Sequence, residues 1–404
     1  MSYIKIPKIL LPKNISYEKW ATVACDQFCA EPAYWNELEN FVGDSPSTLR
    51  LTLAEIYLEQ NQKERIESIQ KHMKTYVESG LFSEYEGFIL VERRVGNDIR
   101  VGLIISFDLD AYDWRRLPVP IRATEETIID RLPPRVEIRR GAPIELPHVL
   151  LLADDCKKEI IEPIYEKRNT LEKLYDFELS MHGGRITAYK VDNSEALIEK
   201  FSALLNPKTQ IEKYGQNIGI LLAVGDGNHS VASAKVLWEE TKKSLTDAER
   251  ANHPARFFLA EVVNLYGGGM EFEPIHRVVF GADEKFIEGL KGRLSGKGKV
   301  KLLTKSGTIY MDAPERQSES IRAIQEYIEE AVKENKSLKI EYVHNECRLQ
   351  DVLTEFGGVG IVMPKFPNSD LFNFVVNVGN LPKKAFSIGE PEHKRYYIEA
   401  KRIK

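Results

Sequence analysis

Four cysteines in 404 residues, at positions 25, 29, 156 and 347, are too few and too scattered for a disulfide framework. Cys25 and Cys29 have no matching second pair, which favours small buried hydrophobes over structural zinc. No run of about 18 apolar residues occurs, and the opening Met-Ser-Tyr-Ile-Lys-Ile-Pro-Lys stretch has no hydrophobic core ahead of a cleavage site. A cytoplasmic protein that does not enter a membrane is expected. An excess of one charge is also missing. Lys+Arg 56 against Asp+Glu 61 gives a formal charge of −5 without a like-charge block, so there is neither a basic field for nucleic acid nor an acidic tail. Internal repeats and low-complexity segments are absent too. What the chain has is bulk: 43% hydrophobic residues, over a length that allows two or three domains.

The stretch that organises the chain runs from Asn217 to Lys242. Residues 218–224 are a continuous apolar run of strand length. Two glycines close it, and a segment rich in Ala, Val, Leu and Glu follows, so the order is buried strand, tight loop, helix. Val231, Ala234 and Trp238 recur at i, i+3 and i+7 and give that helix a buried face, with His229 or Ser230 placed to cap it. The free N–H groups of such a helix start, approached closely where Gly225 and Gly227 carry no Cβ, form an anion site, and Asp226 adds a carboxylate beside it. A Walker A loop needs Gly-Lys-Ser/Thr where Asn228-His229-Ser230 stands, and a dinucleotide fingerprint needs a third glycine at Ser230. Both are excluded. Spacing alone leaves two readings, a phosphate cradle or a glycine turn in which Asp226 is a cap.

Elsewhere, three places can carry chemistry. An apolar strand from Trp20 leads into Cys25-Asp26-Gln27-Phe28, with Glu31 three residues on; Asp26 and Glu31 either hold a small polar ligand or cap the next helix. Arg122, Thr124, Glu125, Glu126, Thr127, Asp130, Arg131 and Arg135 gather around Pro133-Pro134, which cannot continue a helix. They read as an anion site or as a solvated face of paired Arg and Glu. At Glu273-Pro-Ile-His276-Arg277 a histidine and an arginine meet at a strand entrance, suited to a proton carrier and a phosphate clamp. The acidic pair Asp154-Asp155 holds Mg²⁺ or caps a helix over 158–174. Hairpins are expected around residues 96–98 and 184, a helix over 61–79, and α/β support over 284–356. Asn206-Pro207 marks a boundary between an α+β domain, 1–205, carrying the arginine-rich segment, and a glycine-loop domain, 206–404.

Asp226-Gly-Asn-His-Ser230 resembles the Asp-Gly-His-His-Arg loop of ParB-like and sulfiredoxin-like proteins, with Asn228 in place of one histidine and Ser230 in place of the arginine. Nearly the whole chain also resembles a bacterial domain-of-unknown-function family, number one thousand and fifteen. That likeness runs through Cys25-Asp-Gln-Phe28, Ile121-Arg-Ala-Thr-Glu-Glu-Thr127, Arg131-Leu-Pro-Pro-Arg135, the glycine loop, Glu273-Pro-Ile-His-Arg277 and Ala385-Phe-Ser-Ile-Gly389. The loop's resemblance implies an α+β (mixed α/β) fold of mixed sheets with flanking helices and a ParB/sulfiredoxin-like nucleotide-binding element around 225–230. It implies further that ATP or ADP binds with Mg²⁺, and that phosphoryl transfer to a small hydroxyl metabolite such as free serine takes place.

In that scheme Gly225, Gly227, Asn228 and Ser230 cradle phosphate, and Asp226 holds Mg²⁺. Arg122, Thr124, Arg131, His276 and Arg277 neutralise the transferred group, while His229 donates to it or moves a proton. ParB-like serine kinases use a glutamate upstream of the loop as base, which no motif matches here, so Asp26 and Glu31 stand in by position. The partners expected are nucleotide and small-molecule substrate, without nucleic acid or membrane; the sequence sets no oligomeric state. A nucleotide- or phosphometabolite-binding regulator without turnover fits the same loop. So does a phosphoesterase with a metal on Asp226 and His229.

Overall fold

The apolar run that ends at the glycine loop lies inside a ten-stranded mixed sheet. The structure, a computed structural model, describes residues 2–28, 31–115, 118–125, 127–146, 148–270, 272–377, 386–388 and 394–404. Glu126, Lys383 and Lys384, and all but 386–388 of the motif at 385–389, fall outside these. Along the sheet the strands are Lys173–Glu178, Arg185–Lys190, Ile89–Val95, Asp98–Asp108, Phe257–Asn264, Leu150–Ala153, Leu222–Asp226, Ile121–Ala123 and Tyr112–Asp113, with Ile4–Lys5 also paired to Asp98–Asp108. Both expected hairpins form.

Strand direction places the loop. Leu222–Asp226 runs parallel to Ile121–Ala123 and antiparallel to Leu150–Ala153, with Leu150 opposite Asp226. The exits of two strands and the entrance of a third therefore share one edge, where Thr124, Asp226 and His148 arrive from three parts of the chain. The carboxyl ends of strands are where open α/β sheets bind ligands.

Local chemistry shifted several expectations. The strand begins at Leu222, because Gly219 takes a left-handed φ of 62° and Leu221 N–H donates to the Pro120 carbonyl. In place of a helix over 158–174 there are the short helix Glu162–Glu166 and a 3-10 turn at Arg168–Thr170, with Lys158 left-handed and Lys173–Glu178 drawn into the sheet. Pro133 and Pro134 open the helix Leu132–Gly141, since a first-turn proline lacks only an N–H that has no helical acceptor. Asp154 and Asp155 are engaged by Lys213 and Tyr214 and by the Ile160 N–H.

Two compact units result, Met1–Met270 with Glu390–Lys404, and Glu271–Gly389. This corrects the division at 205/206. Asn206 accepts from Lys208 N–H at 2.9 Å and starts the helix Pro207–Tyr214, while the glycine-loop strand belongs to the first unit's sheet. Trp20, Phe88, Phe107, Tyr112, Trp238 and Phe258 are fully enclosed in that unit's core. The second unit has a five-stranded antiparallel sheet, ordered Gly307–Ala313, Gly298–Thr304, Val359–Val362, His276–Phe280 and Lys339–Val343. Glu284–Arg293, Gln317–Glu334 and Glu346–Phe356 are its main helices. Among the described residues no helix is long and apolar enough to cross a membrane.

Candidate functional site

Strand Leu222–Asp226, which includes Gly225, passes through Gly227 into the helix Asn228–Thr241. Gly227 is left-handed at φ 82°, and a Cβ there would stand 2.8 Å from Val149 Cγ2 and 3.2 Å from Val149 Cα. Only glycine suits both demands. Gly227 N–H donates to Asp226 Oδ1 at 2.9 Å, and the N–H groups of Ser230 and Val231 donate to the Gly227 carbonyl. The Asn228 and His229 N–H groups meet no acceptor among the described residues, as expected of a helix start. Asn228 is 6% exposed, and its Oδ1 is buried without a partner.

Charged groups gather beside these amides. Lys394 Nζ lies 3.1 Å from Asp226 Oδ2. Burial alone would lower the lysine's pKa, but Asp226 and Asp26 outweigh it and hold the ammonium above its ordinary value. The Asp26 carboxyl is likewise held below its ordinary value: burial pushes it up, and His148, Lys394, Gln27 and Arg135 together pull it further down. His148 is buried, its pKa lowered by that burial against the opposing pull of Asp26 and Asp226. Its ring meets Tyr397 edge-on at 5.1 Å. Arg135 donates to Glu55 Oε1 at 2.5 Å, with Arg131 3.9 Å from the same oxygen.

The arrangement follows from pairing. Tyr396–Tyr397 bonds to Thr22–Val23, the Ala24 N–H donates to the Arg395 carbonyl, and Cys25 N–H reaches the Tyr397 hydroxyl at 3.2 Å. The Glu55 N–H donates to the Cys25 carbonyl. Burial, followed by the nearby Asp26, pushes the Cys25 thiol up to about 11 and leaves it neutral.

His229 is fixed by Ile128 N–H donating to its Nε2 at 3.2 Å, which leaves the proton on Nδ1. Burial, then Arg135 and Arg131, take its pKa from an ordinary 6.5 to about 4. It is therefore neutral at neutral pH, with a donor at Nδ1. The sign of the pH effect follows. Between pH 6.5 and 4 the unfolded chain binds a proton that folded His229 refuses, so this stabilisation is complete above 6.5 and is lost as pH falls towards 4. Thermal melts are expected to show Tm falling over that interval. His229→Gln, whose side-chain carbonyl can still accept from Ile128, should give a shallower fall; an unchanged slope would refute the assignment.

The remaining expected residues divide sharply. Thr124 is buried at the loop edge, its hydroxyl donating to the Val224 carbonyl at 2.6 Å. Arg122 is directed to the other end of the strand, where it donates to the carbonyls of Val119 and Ile218. Glu31 is exposed at the start of the helix Pro32–Val42. In the second unit His276 Nδ1 accepts from Met363 N–H at 3.1 Å. Arg277 is fully buried, donating to Gln325 Oε1 and the Ile275 carbonyl under the Tyr342 ring. These two are internal braces of their sheet, which corrects the reading of His276 and Arg277 as proton carrier and clamp. The cluster thus keeps Asp26, Thr124, Arg131, Arg135, Asp226, Asn228, His229 and Ser230, and adds Glu55, His148, Lys394 and Tyr397. His148 stood just ahead of an apolar strand; nothing local marked Lys394.

A family model described as a protein of unknown function, DUF1015, matches residues 10–346. The chain belongs to the DUF1015 family. No curated protein matches it. Among solved structures, a conserved hypothetical protein from Pyrococcus furiosus is similar at 9% identity and TM-score 0.35, over 73% of this DUF1015 chain and 90% of its own. A free serine kinase in complex with AMP is similar at 9% identity and TM-score 0.38, over 74% and 92%. A variant of a free serine kinase with ADP gives 8% and 0.39 over the same shares. Likenesses this distant leave the mixed α/β assignment to the sheets themselves. Among the described residues no three His, Cys, Asp or Glu side chains converge as a metal site.

Proposed function

We propose that the protein is a nucleotide-dependent phosphotransferase acting on the hydroxyl of a small metabolite, free serine being the acceptor that the loop's resemblance suggests. The observation that carries this reading is the open start of the helix Asn228–Thr241. The Asn228 and His229 amides meet no acceptor among the described residues, and Lys394, Arg131 and Arg135 lie nearby. Helix-start amides and nearby cations are what a polyphosphate requires. Bound with the nucleotide, Mg²⁺ would neutralise phosphate charge. Asp226 fits it, because a carboxylate has about four lone-pair sites and Asp226 uses one for Gly227 and one for Lys394.

In the reaction, the acceptor's hydroxyl oxygen bonds to the terminal phosphorus. The bond from that phosphorus to the bridging oxygen breaks, and its electron pair leaves with the shortened nucleotide. The hydroxyl proton passes to the neutral His148 imidazole, and the ionised Asp26 stabilises the imidazolium as it forms. His229 donates through Nδ1, and the cations balance the charge that develops on the phosphoryl oxygens.

The test is incubation of the protein with Mg²⁺, terminally labelled ATP or ADP, and pooled small hydroxy metabolites. A labelled small molecule supports the proposal. Tight binding of intact nucleotide makes the protein a regulator, and inorganic phosphate released without an acceptor makes it a phosphoesterase. Arg131→Ala is expected to weaken nucleotide binding roughly 10-fold, the loss of one charge-assisted hydrogen bond of about 1.5 kcal/mol. Because Arg131 is half exposed, its removal should leave Tm nearly unchanged. Titration calorimetry measures the first quantity, and unaltered affinity would remove Arg131 from the site.

A further inference from the structure

Arg93 is a buried cation that takes no part in the proposed reaction. It stands on the strand Ile89–Val95 and is 3% exposed. Burial, then the nearby Arg100, pull its pKa below the ordinary arginine value. Keeping a guanidinium out of water is unfavourable unless its donors are well used, and here they go to main-chain carbonyls. Nη1 donates to the Lys394 carbonyl at 2.5 Å, and Nε and Nη2 donate to the Gly183 carbonyl at 3.1 and 2.8 Å. The same guanidinium lies 4.9 Å from the centre of the Tyr396 ring, whose hydroxyl donates to the Ser180 carbonyl at 2.8 Å. A Cβ on Gly183 would stand 2.5 Å from that hydroxyl oxygen, so the hairpin turn and the ring are in close contact. Arg93 thus joins its own strand, the turn between Lys173–Glu178 and Arg185–Lys190, and residues 394–396.

This junction decides where Lys394 starts from. A peptide unit is planar, so holding its carbonyl restrains the whole unit, including the Cα of the residue that owns the carbonyl. Arg93 holds the unit between Lys394 and Arg395, and the Ala24 N–H holds the next one through the Arg395 carbonyl at 3.0 Å. From that Cα the four-carbon stem of lysine carries Nζ to 3.1 Å from Asp226 Oδ2. The stem is rich in rotamers, and anchoring its base removes the main-chain share of the freedom that would otherwise oppose the pairing.

Resting on the phosphotransferase reading, we propose that Arg93 is a positioning residue, holding the Lys394 main chain so that the ammonium stays beside Asp226 and meets the nucleotide phosphates there. Arg93 acts through Lys394 and touches no phosphate itself.

A double-mutant cycle tests this, with ATP and Mg²⁺ titrated by calorimetry. Arg93→Lys keeps the charge but not the planar fork that serves two carbonyls, and is expected to weaken ATP binding about 10-fold. In the Lys394→Met background the same exchange should change affinity by less than about two-fold, because the group it acts through is gone. Equal losses in both backgrounds make Arg93 a brace of the fold and overturn the inference. Arg93→Gln, which keeps a donor without the charge, replaces Arg93→Lys if that variant does not fold. A second readout needs no nucleotide. Reductive methylation modifies the unprotonated amine; burial would lower the Lys394 pKa, but Asp226 and Asp26 hold it up, so the wild-type residue should react slowly. Mass spectrometry is expected to show Lys394 methylated several-fold faster in Arg93→Lys, and an unchanged rate overturns the inference. A faster rate in a protein that binds no ATP upholds the placement of Lys394 and overturns the phosphotransferase reading.

Discussion

On the proposed reaction, exchanging His148 for glutamine is expected to lower kcat by roughly 10²- to 10⁴-fold, the range that a positioned general base contributes, and to leave nucleotide affinity within a factor of about three. His148 is the group near Asp26 whose burial keeps it neutral at physiological pH, whereas His229 already holds the Ile128 N–H on its Nε2. Glutamine preserves size and hydrogen bonding but cannot take the proton. Single-turnover measurements with nucleotide prebound separate the transfer step from binding. The wild-type rate should also fall on the acid side as His148 becomes protonated, and that limb should vanish in His148→Gln. A variant retaining more than about a tenth of wild-type kcat would remove His148 as base.

Arg395→Met is expected to destabilise the protein by roughly 3–5 kcal/mol, the usual consequence of removing one partner from a buried ionic group. Arg395 Nε donates to Glu261 Oε2 at 2.8 Å and Nη2 to Glu399 Oε2 at 2.6 Å; Glu261 is 2% exposed and Glu399 is 0% exposed. Without the guanidinium, Glu399 keeps the Tyr175 hydroxyl, and Glu261 keeps Arg100 at 3.6 Å. Urea unfolding should show a lower midpoint with the slope unchanged, and adding Glu399→Gln should restore part of the loss. The effect extends to the site. Glu261 pairs with Leu150 in the sheet, and Leu150 lies opposite Asp226, so the Arg395 pair anchors the segment that brings Lys394 to the loop. Nucleotide binding should weaken in the same variant under conditions where it remains folded.

Where one short stretch determines a feature, the sequence was sufficient. An apolar run, a glycine and an Ala-rich segment specify strand, turn and helix through local sterics and periodicity, and the hairpins follow from turn residues between apolar runs. The proline pair beside Arg131 misled, because a first-turn proline starts a helix as readily as an internal one stops it. Adjacency misled at His276-Arg277 as well. The two residues look like a paired site, yet in the second unit's sheet both are enclosed and engaged by their own neighbours.

The sequence by itself determined the family, the mixed α/β class and the order of strand, glycine turn and helix, since each depends on neighbouring residues or on composition; it put the cap at His229 or Ser230, whereas the structure has Gly227 there and the helix starts at Asn228. Only the tertiary structure decided that Lys394, His148, Asp26 and Arg135 surround that helix start while Arg122, His276 and Arg277 are engaged elsewhere. Which strands pair, and in which direction, is a long-range outcome of burying apolar surface, and it brings together side chains that chain order keeps far apart.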